Sequence, residues 1–274
     1  MASTATKTIW YVYGIVPEAT SASSPPVGLD DADVTLERHA GVAALVSTLD
    51  ADAYAPTSIE ASSGDVEWLS PRAVAHDRVL TWASDHGAVI PLPMFSLFSG
   101  EEAVRSMLSD RAPQLNATLE RVGRGREYAL RVYRIDAELL PAITTLSPRL
   151  GDMASAAAEA SPGQRYLLER KLEGEKRTEM RAVTQRIVEE IVQPLSSLAI
   201  SSAKSPIPKA PSAEGAARGT MVLNAAFLVA KDTLEDFQRM LSSLVDRHGR
   251  HGFRFDFTGP WPPYHFVNES GDGA

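Results

Sequence analysis

Phe253-Arg254-Phe255-Asp256-Phe257, running without a break into Thr258-Gly259-Pro260-Trp261-Pro262-Pro263-Tyr264-His265-Phe266-Val267, is the stretch on which the reading of the fold turns. Its first five residues alternate apolar and polar, the pattern of a half-buried β-strand. The rest is tightly constrained. One glycine permits positive φ, and three prolines fix φ and withdraw backbone donors. Three aromatic side chains sit among them. A strand therefore feeds a stiff aromatic-proline tail that needs a fixed docking place. Two readings of the tail follow: a rigid cap closing a hydrophobic core, or a recognition surface whose rigid aromatic residues offer contact area at low entropic cost.

Working back from that strand, Thr233 to Arg247 reads as a helix and Met221 to Lys231 as another strand. Ser205 to Gly219, rich in Pro, Ala and Gly, reads as a mobile loop. Before it a long helix is expected from Gln164 to about Ala203, opened by Ser161-Pro162-Gly163. Its second half is amphipathic, with Val183, Ile187, Ile191 and Leu195 recurring every four residues. Its first half, Glu169 to Arg181, is charged with mixed signs. Glu169 or Glu173 with Arg177 would form helical ion pairs there, on a solvated helix that lacks the sustained heptads of a coiled coil.

In the N-terminal half, Thr8 to Val16 reads as a buried strand rich in β-branched and aromatic residues. Val34–His39 and Val42–Leu49, separated by Ala40-Gly41, read as a hairpin. Pro71 to His86 is expected to be a helix with the proline in its first turn. Ala88 to Leu92 is a short strand, Gly100 to Val122 a second helix and Glu127 to Ile135 another strand. This order predicts an α+β protein of two domains. Residues 1–135 form an N-terminal ferredoxin-like α/β sandwich with helices on one sheet face. Residues 136–274 form a C-terminal α+β unit led by the long charged helix and closed by the aromatic-proline tail.

Composition narrows the function classes. The chain has 274 residues, 44% hydrophobic and 23% charged, with a net charge of −8. An acidic balance argues against bulk nucleic-acid binding, which wants a basic face. With no cysteine there is no disulfide, thiolate chemistry or cysteine-ligated metal. Met1 to Thr8 is polar and lacks a signal-peptide core. No apolar run reaches the ~18–20 residues of a membrane helix. A cytoplasmic protein is the expectation.

Chemistry-bearing constellations are sparse. His248-Gly249-Arg250-His251 pairs two histidines at i, i+3, but the glycine interrupts helical geometry and no acidic third ligand adjoins them, so a polar turn is the reading rather than a metal site. Arg121 to Arg126, with Gly123 and Gly125, lacks the strand-turn-helix setting of a phosphate loop. No nucleophile elbow, P-loop or dinucleotide fingerprint is present. The expectation is a non-enzyme with no catalytic residues, no metal and no cofactor; the alternative is an enzyme or small-molecule-binding module on a ferredoxin-like scaffold.

The ending Gly259-Pro260-Trp261-Pro262-Pro263-Tyr264-His265-Phe266-Val267 resembles the signature of the GvpL/GvpF family of gas vesicle accessory proteins. In order along the chain, Trp10-Tyr11-Val12-Tyr13-Gly14-Ile15-Val16 resembles that family's opening strand, and Val89-Ile90-Pro91-Leu92 its apolar strand ending in proline. Ser161-Pro162-Gly163-Gln164-Arg165-Tyr166-Leu167 resembles its Pro-Gly-x-x-Tyr-Leu helix start, and Met221-Val222-Leu223-Asn224-Ala225-Ala226-Phe227-Leu228-Val229 its Leu-Asn-x-Ala-(Tyr/Phe)-Leu-Val strand. One departure stands out: Pro93-Met94-Phe95 occupies the place of the family's Arg-Phe-Gly. The resemblance implies an accessory protein for gas vesicle assembly, cytoplasmic and at the gas vesicle. Its implied partners are the small hydrophobic shell protein, other accessory proteins, or both, with neither nucleic acid nor a membrane span involved. Trp261, Pro262, Pro263, Tyr264 and Phe266 are the candidate protein-binding residues, and His265 reads as a rim residue.

Overall fold

The computed structural model describes residues 7–21, 23–208 and 218–267. Most of the segment expected to be a mobile loop, residues 209–217, lies outside the described residues. The chain divides into two compact units, one of residues 1–127 with 260–274 and one of residues 128–259. The boundary expected after residue 135 coincides with the end of a strand, whereas the compact units divide at residues 127/128 and again at 259/260.

In the first unit, β1 (Thr8–Pro17) is the centre of the sheet. It pairs antiparallel with β3 (Val42–Asp50), from Thr8 opposite Asp50 to Pro17 opposite Val42, with a bulge between Val12 and Gly14. The β2 strand (Thr35–His39) folds back on β3 through Ala40 and Gly41, both at positive φ (55° and 82°). That is the combination a tight two-residue hairpin turn requires. β4 (Ile90–Pro91) pairs with Gly14 and Ile15, and β5 (Leu97–Phe98) with Trp10 and Tyr11. The order β2-β3-β1-β4, with β5 also on β1, is a ferredoxin-like strand order with one extra strand. A loop containing the 3-10 turn Leu29–Asp31 replaces the first crossover helix.

Helices cover both faces of this sheet, not one. On one side α2 (Val66–His86) places Ala75, Val79, Leu80 and Ala83 against Tyr11, Tyr13 and Leu45. On the other, α3 (Glu101–Val122) places Val104, Leu108, Leu115 and Leu119 against Val12, Ile15, Val42 and Val46. The reason lies in β1, whose Tyr11 to Val16 are all buried: a strand apolar on both sides needs cover on both sides. The helix expected to open at Pro71 begins five residues earlier. Asp65 supplies the stop, its carboxylate accepting from the backbone N–H groups of Glu67 (2.9 Å) and Trp68 (3.4 Å), which satisfies two orphan donors of the first turn. α1 (Pro56–Ser62) precedes it.

The second unit follows a β-α-β-β-α-β course. β6 (Arg126–Arg134) is followed by α4 (Asp136–Leu146), α5 (Pro148–Glu159) and α6 (Pro162–Leu198), then β7 (Ser201–Lys204) and β8 (Thr220–Val229), α7 (Leu234–Gly249) and β9 (Phe253–Trp261). Its sheet runs β7-β8-β6-β9. By chain order this is the strand arrangement of the first unit, so both units carry the ferredoxin-like order. The core joins Leu130 and Val132 of β6, Phe227 of β8 and Phe237 of α7 to the four residues expected from their spacing in α6: Val183, Ile187, Ile191 and Leu195. Phe257 stacks on Tyr128 at 5.3 Å, which makes Phe253 to Phe257 the half-buried strand its alternation predicts.

The long helix ends sooner than expected, at Leu198. Residues 201–204 leave it and pair antiparallel with β8, Ser201 opposite Leu228 and Lys204 opposite Ala225. The open edge of β8 offers backbone partners to the side of this segment that faces it, and Ser201 and Ser202 are weak helix formers that give up the helix readily. The alanine-rich stretch Ala154 to Ala160 belongs largely to α5; Ser147 caps that helix, and Leu150 and Ala157 are its buried residues. In the charged half of α6, Glu173 pairs with Lys176 (2.6 Å) rather than with Arg177.

Candidate functional site

The tail leaves β9 at Trp261 and folds onto the first unit. Pro262 and Pro263 are buried. The chain then turns tightly: the Tyr264 N–H donates to the Pro262 carbonyl (2.7 Å) and the Phe266 N–H to that of Pro263 (3.1 Å). Proline suits this place because its fixed φ preforms the turn and no backbone donor is lost to burial. Phe266 is 4% exposed, and Val267 packs into the cluster formed by Val12, Ile15, Val104 and Leu108.

A polar clasp holds the turn. Glu127 at the start of β6 has only 2% of its side chain exposed. One of its carboxylate oxygens accepts from the His265 backbone N–H (3.0 Å) and the other from His265 Nδ1 (2.6 Å). Both oxygens of a buried carboxylate are thus used, which burial demands. The hydrogen bond to Glu127 raises the His265 pKa above its usual value, against the opposing effect of burial. Nothing in the sequence signals this pair, since the two residues lie 138 positions apart and Glu127 reads as an ordinary strand residue. His265, expected at the rim, is a clasp residue with its ring half exposed.

The five candidate residues divide into two sets. Pro262, Pro263 and Phe266 face inward. Trp261 and Tyr264 keep 42% and 40% of their surface exposed. Burial, with the carboxylates of Asp77 and Glu127 nearby, pushes the Tyr264 hydroxyl up to about 12, so the phenol stays protonated at any physiological pH. Beside Trp261 and Pro263, Ser84, Gly87, Val122 and Arg126 line a recess of about 10 Å³. That is room for about one water, far below the ~300 Å³ of an ordinary ligand pocket. Arg126 is spent structurally, donating to Ser84 Oγ and the Gly87 carbonyl, both at 3.3 Å. What this arrangement offers is a stiff, partly aromatic outer surface. Among the described residues no group of three or more His, Asp or Glu is placed to hold a metal ion, and no helix is long and apolar enough to cross a membrane.

The model of the family described as gas vesicle synthesis protein GvpL/GvpF matches residues 9–268. The chain belongs to the GvpL/GvpF family. Gas vesicle protein L2 of Halobacterium salinarum is 28% identical over 270 residues, covering 94% of this chain and 90% of that protein. Gas vesicle protein L of a Streptomyces species is 26% identical over 274 residues, covering 96% and 94%. The crystal structure of the gas vesicle protein GvpF from an Anabaena species superposes with a TM-score of 0.67 at 18% identity, covering 97% of this chain and 99% of that one; this likeness establishes the shared α+β fold.

A second aromatic grouping in this GvpL/GvpF chain, missed by sequence reasoning, surrounds Phe95. Phe95 has φ 64°. Its ring stacks on Trp68 (5.6 Å) and meets Tyr54 (6.3 Å) and Tyr11 (6.5 Å). Arg72 lies over Trp68 at 4.3 Å and pairs with Asp30 at 2.7 Å. Deeper in, Tyr11 Oη and His76 Nδ1 are hydrogen-bonded at 2.7 Å, and burial pushes His76 down to about 4. A left-handed conformation strains a bulky residue by about 1–3 kcal/mol, and aromatic pairs worth about 0.5–1.5 kcal/mol each offset it. Phe95→Ala is accordingly expected to be less stable than Phe95→Gly by about 1 kcal/mol, reversing the usual order of those residues, because alanine loses the rings and keeps the strain. Urea denaturation of the two variants checks this, and an alanine variant as stable as the glycine one would remove the strain from the account.

Proposed function

We propose that this GvpL/GvpF family protein takes part in gas vesicle assembly by binding the small hydrophobic shell protein through Trp261 and Tyr264, presented on the rigid base of Pro262, Pro263 and Phe266. The observation that carries the reading is the split within the motif: its inner residues fix the turn while its two largest aromatic side chains remain about two-fifths exposed. Rigid, partly exposed aromatic residues are the side chains that dominate binding energy at interfaces, since little conformational entropy is lost when they are covered. A shell subunit must be kept from aggregating before it joins a growing wall, and transient cover of its apolar surface does that at ~25 cal/mol per Å². In this reading the protein works in the cytoplasm and at the vesicle, alongside other accessory proteins and without a catalytic step.

Tyr264→Ala is the discriminating variant, because its side chain is more exposed than the residues that anchor the turn. The expected result is a loss of about 2 kcal/mol in affinity for purified shell protein, roughly thirtyfold, with a small change in melting temperature. Unchanged binding with unchanged stability would remove the motif from the interface and leave it as a cap. Loss of fold would make the residue a core element, and Trp261→Phe, which keeps an aromatic ring, then separates the two roles.

A further inference from the structure

The first half of α6 carries an unpartnered surface of distinct chemistry. At about 100° per residue, Tyr166, Leu167, Arg170, Lys171, Arg177 and Arg181 fall within an arc of about 140° of the helix circumference. All six are exposed, and Tyr166 and Leu167 reach 63% and 66%. The four cations have no ion-pair or hydrogen-bond partner among the described residues. The acidic residues of this half of the helix lie outside the arc. Glu173 at its margin is held by Lys176, and Glu175 and Glu179 are held on another side by Arg149 at 2.9 and 2.6 Å. A protein of net charge −8 thus presents a basic stripe about 22 Å long, at 1.5 Å per residue, headed by two uncovered apolar side chains.

A charged helix face is ordinarily a solvated one, with cations and carboxylates interleaved as i, i+4 pairs that lower its cost. Here the carboxylates are drawn off to other faces and the cations are left to repel one another. Two further classes of occupant fit poorly. A nucleic acid or an anionic membrane extends well beyond the strip and would meet the repelling field of the acidic protein around it, whereas a segment no longer than the strip meets only its cations. A membrane-surface helix also sets its cations opposite its apolar face, whereas here the two share one face.

We propose that this stripe is a docking surface for an acidic amphipathic helical segment of another protein, about four turns long, with carboxylates facing Arg170, Lys171, Arg177 and Arg181 and an apolar side chain seated on Tyr166 and Leu167. Charge complementarity sets the register and speeds encounter, and the apolar pair supplies the anchor. The surface lies in the unit of residues 128–259 and the aromatic tail in the other, so the inference does not rest on shell-protein binding by the tail.

The test uses the full chain and a fluorescein-labelled 16-residue helical peptide with four glutamates at the stripe's spacing and leucine at one end. The variants are the charge reversal Arg170→Glu/Lys171→Glu/Arg177→Glu/Arg181→Glu and the apolar change Tyr166→Ser/Leu167→Ser. All are at exposed positions, and circular dichroism melts check the fold. Should the fourfold reversal fail to fold, Arg170→Glu/Lys171→Glu replaces it. The expected result is peptide binding that weakens with salt, falls at least about tenfold on reversal, and falls severalfold on apolar removal. A peptide with lysine for glutamate should bind only the reversed protein. The proposal is overturned if the peptide does not bind or binds indifferently to the reversal. It is equally overturned if phosphatidylserine–phosphatidylcholine vesicles or a single-stranded oligonucleotide are retained through the stripe instead, or if ultracentrifugation shows the stripe to mediate self-association. Tail variants such as Tyr264→Ala should leave peptide binding unchanged, so a failed tail interface and a failed stripe are told apart.

Discussion

Phe266→Ala is expected to lower the unfolding free energy by about 3–5 kcal/mol, the usual cost of emptying a buried aromatic site. Phe266 is 4% exposed, and its neighbours His265 and Val267 are tied down by the Glu127 clasp and by the core under α3. The site has little freedom to collapse, which puts the cost in the upper part of the range. Urea denaturation gives the number, and limited proteolysis of the last residues locates the change. A loss below about 1 kcal/mol would mean that the tail contributes little to the first unit. The same experiment on Glu127→Gln separates packing from charge: that variant keeps the shape but weakens the hydrogen bonds to His265, and a smaller loss is expected.

Acid should destabilise this protein well before its exposed carboxylates titrate. Burial pushes His76 down to about 4 from 6.5, so the unfolded chain takes the proton first. The stability this histidine contributes is fully present above pH 6.5 and is lost as pH falls toward 4. For a residue only 5% exposed, a shift of that size corresponds to about 3 kcal/mol over the window. His248 and His251, lowered mainly by burial, act in the same direction. His265 acts in the opposite one: its pKa is raised, so its contribution is present below 6.5 and fades as pH rises through its folded value. Denaturation at pH 7, 5.5 and 4.5 should show a steep loss in the native chain and a shallower one in His76→Gln, which keeps a polar partner for Tyr11 without titrating. Equal slopes in the two proteins would show that His76 is not the group responsible.

Much of the fold is legible in the sequence because its signals are local. The four-residue spacing from Val183 to Leu195, the Ala40-Gly41 turn and the alternation from Phe253 to Phe257 each depend on neighbours within one element. The misread features depend on partners elsewhere. Pro71 looks like a helix start, but Asp65, six residues earlier, holds the open N–H groups. Ser201 to Lys204 look like the end of a helix until β8 offers them a strand to pair with. Cover on both faces of the first sheet is written in the unbroken apolar run of β1, whereas the order of elements alone points to helices on one face. At the candidate site, the aromatic-proline run marks itself, but the division into inward Phe266 and outward Trp261 and Tyr264 does not. The residue that clasps the turn, Glu127, carries no sequence signal because its partner is 138 residues away.

Because residues 260–274 belong with residues 1–127, the second unit is an insertion within the first, and this has a consequence during synthesis. At 5–20 residues per second, the ribosome spends on the order of ten seconds making the intervening segment. Throughout that interval the sheet under α3 lacks Val267, and Glu127 has no His265 to accept from. The first unit to be translated is the last to be completed. Truncation before His265 leaves it open, with the buried carboxylate of Glu127 and the apolar cluster under α3 both lacking the partners that the tail supplies.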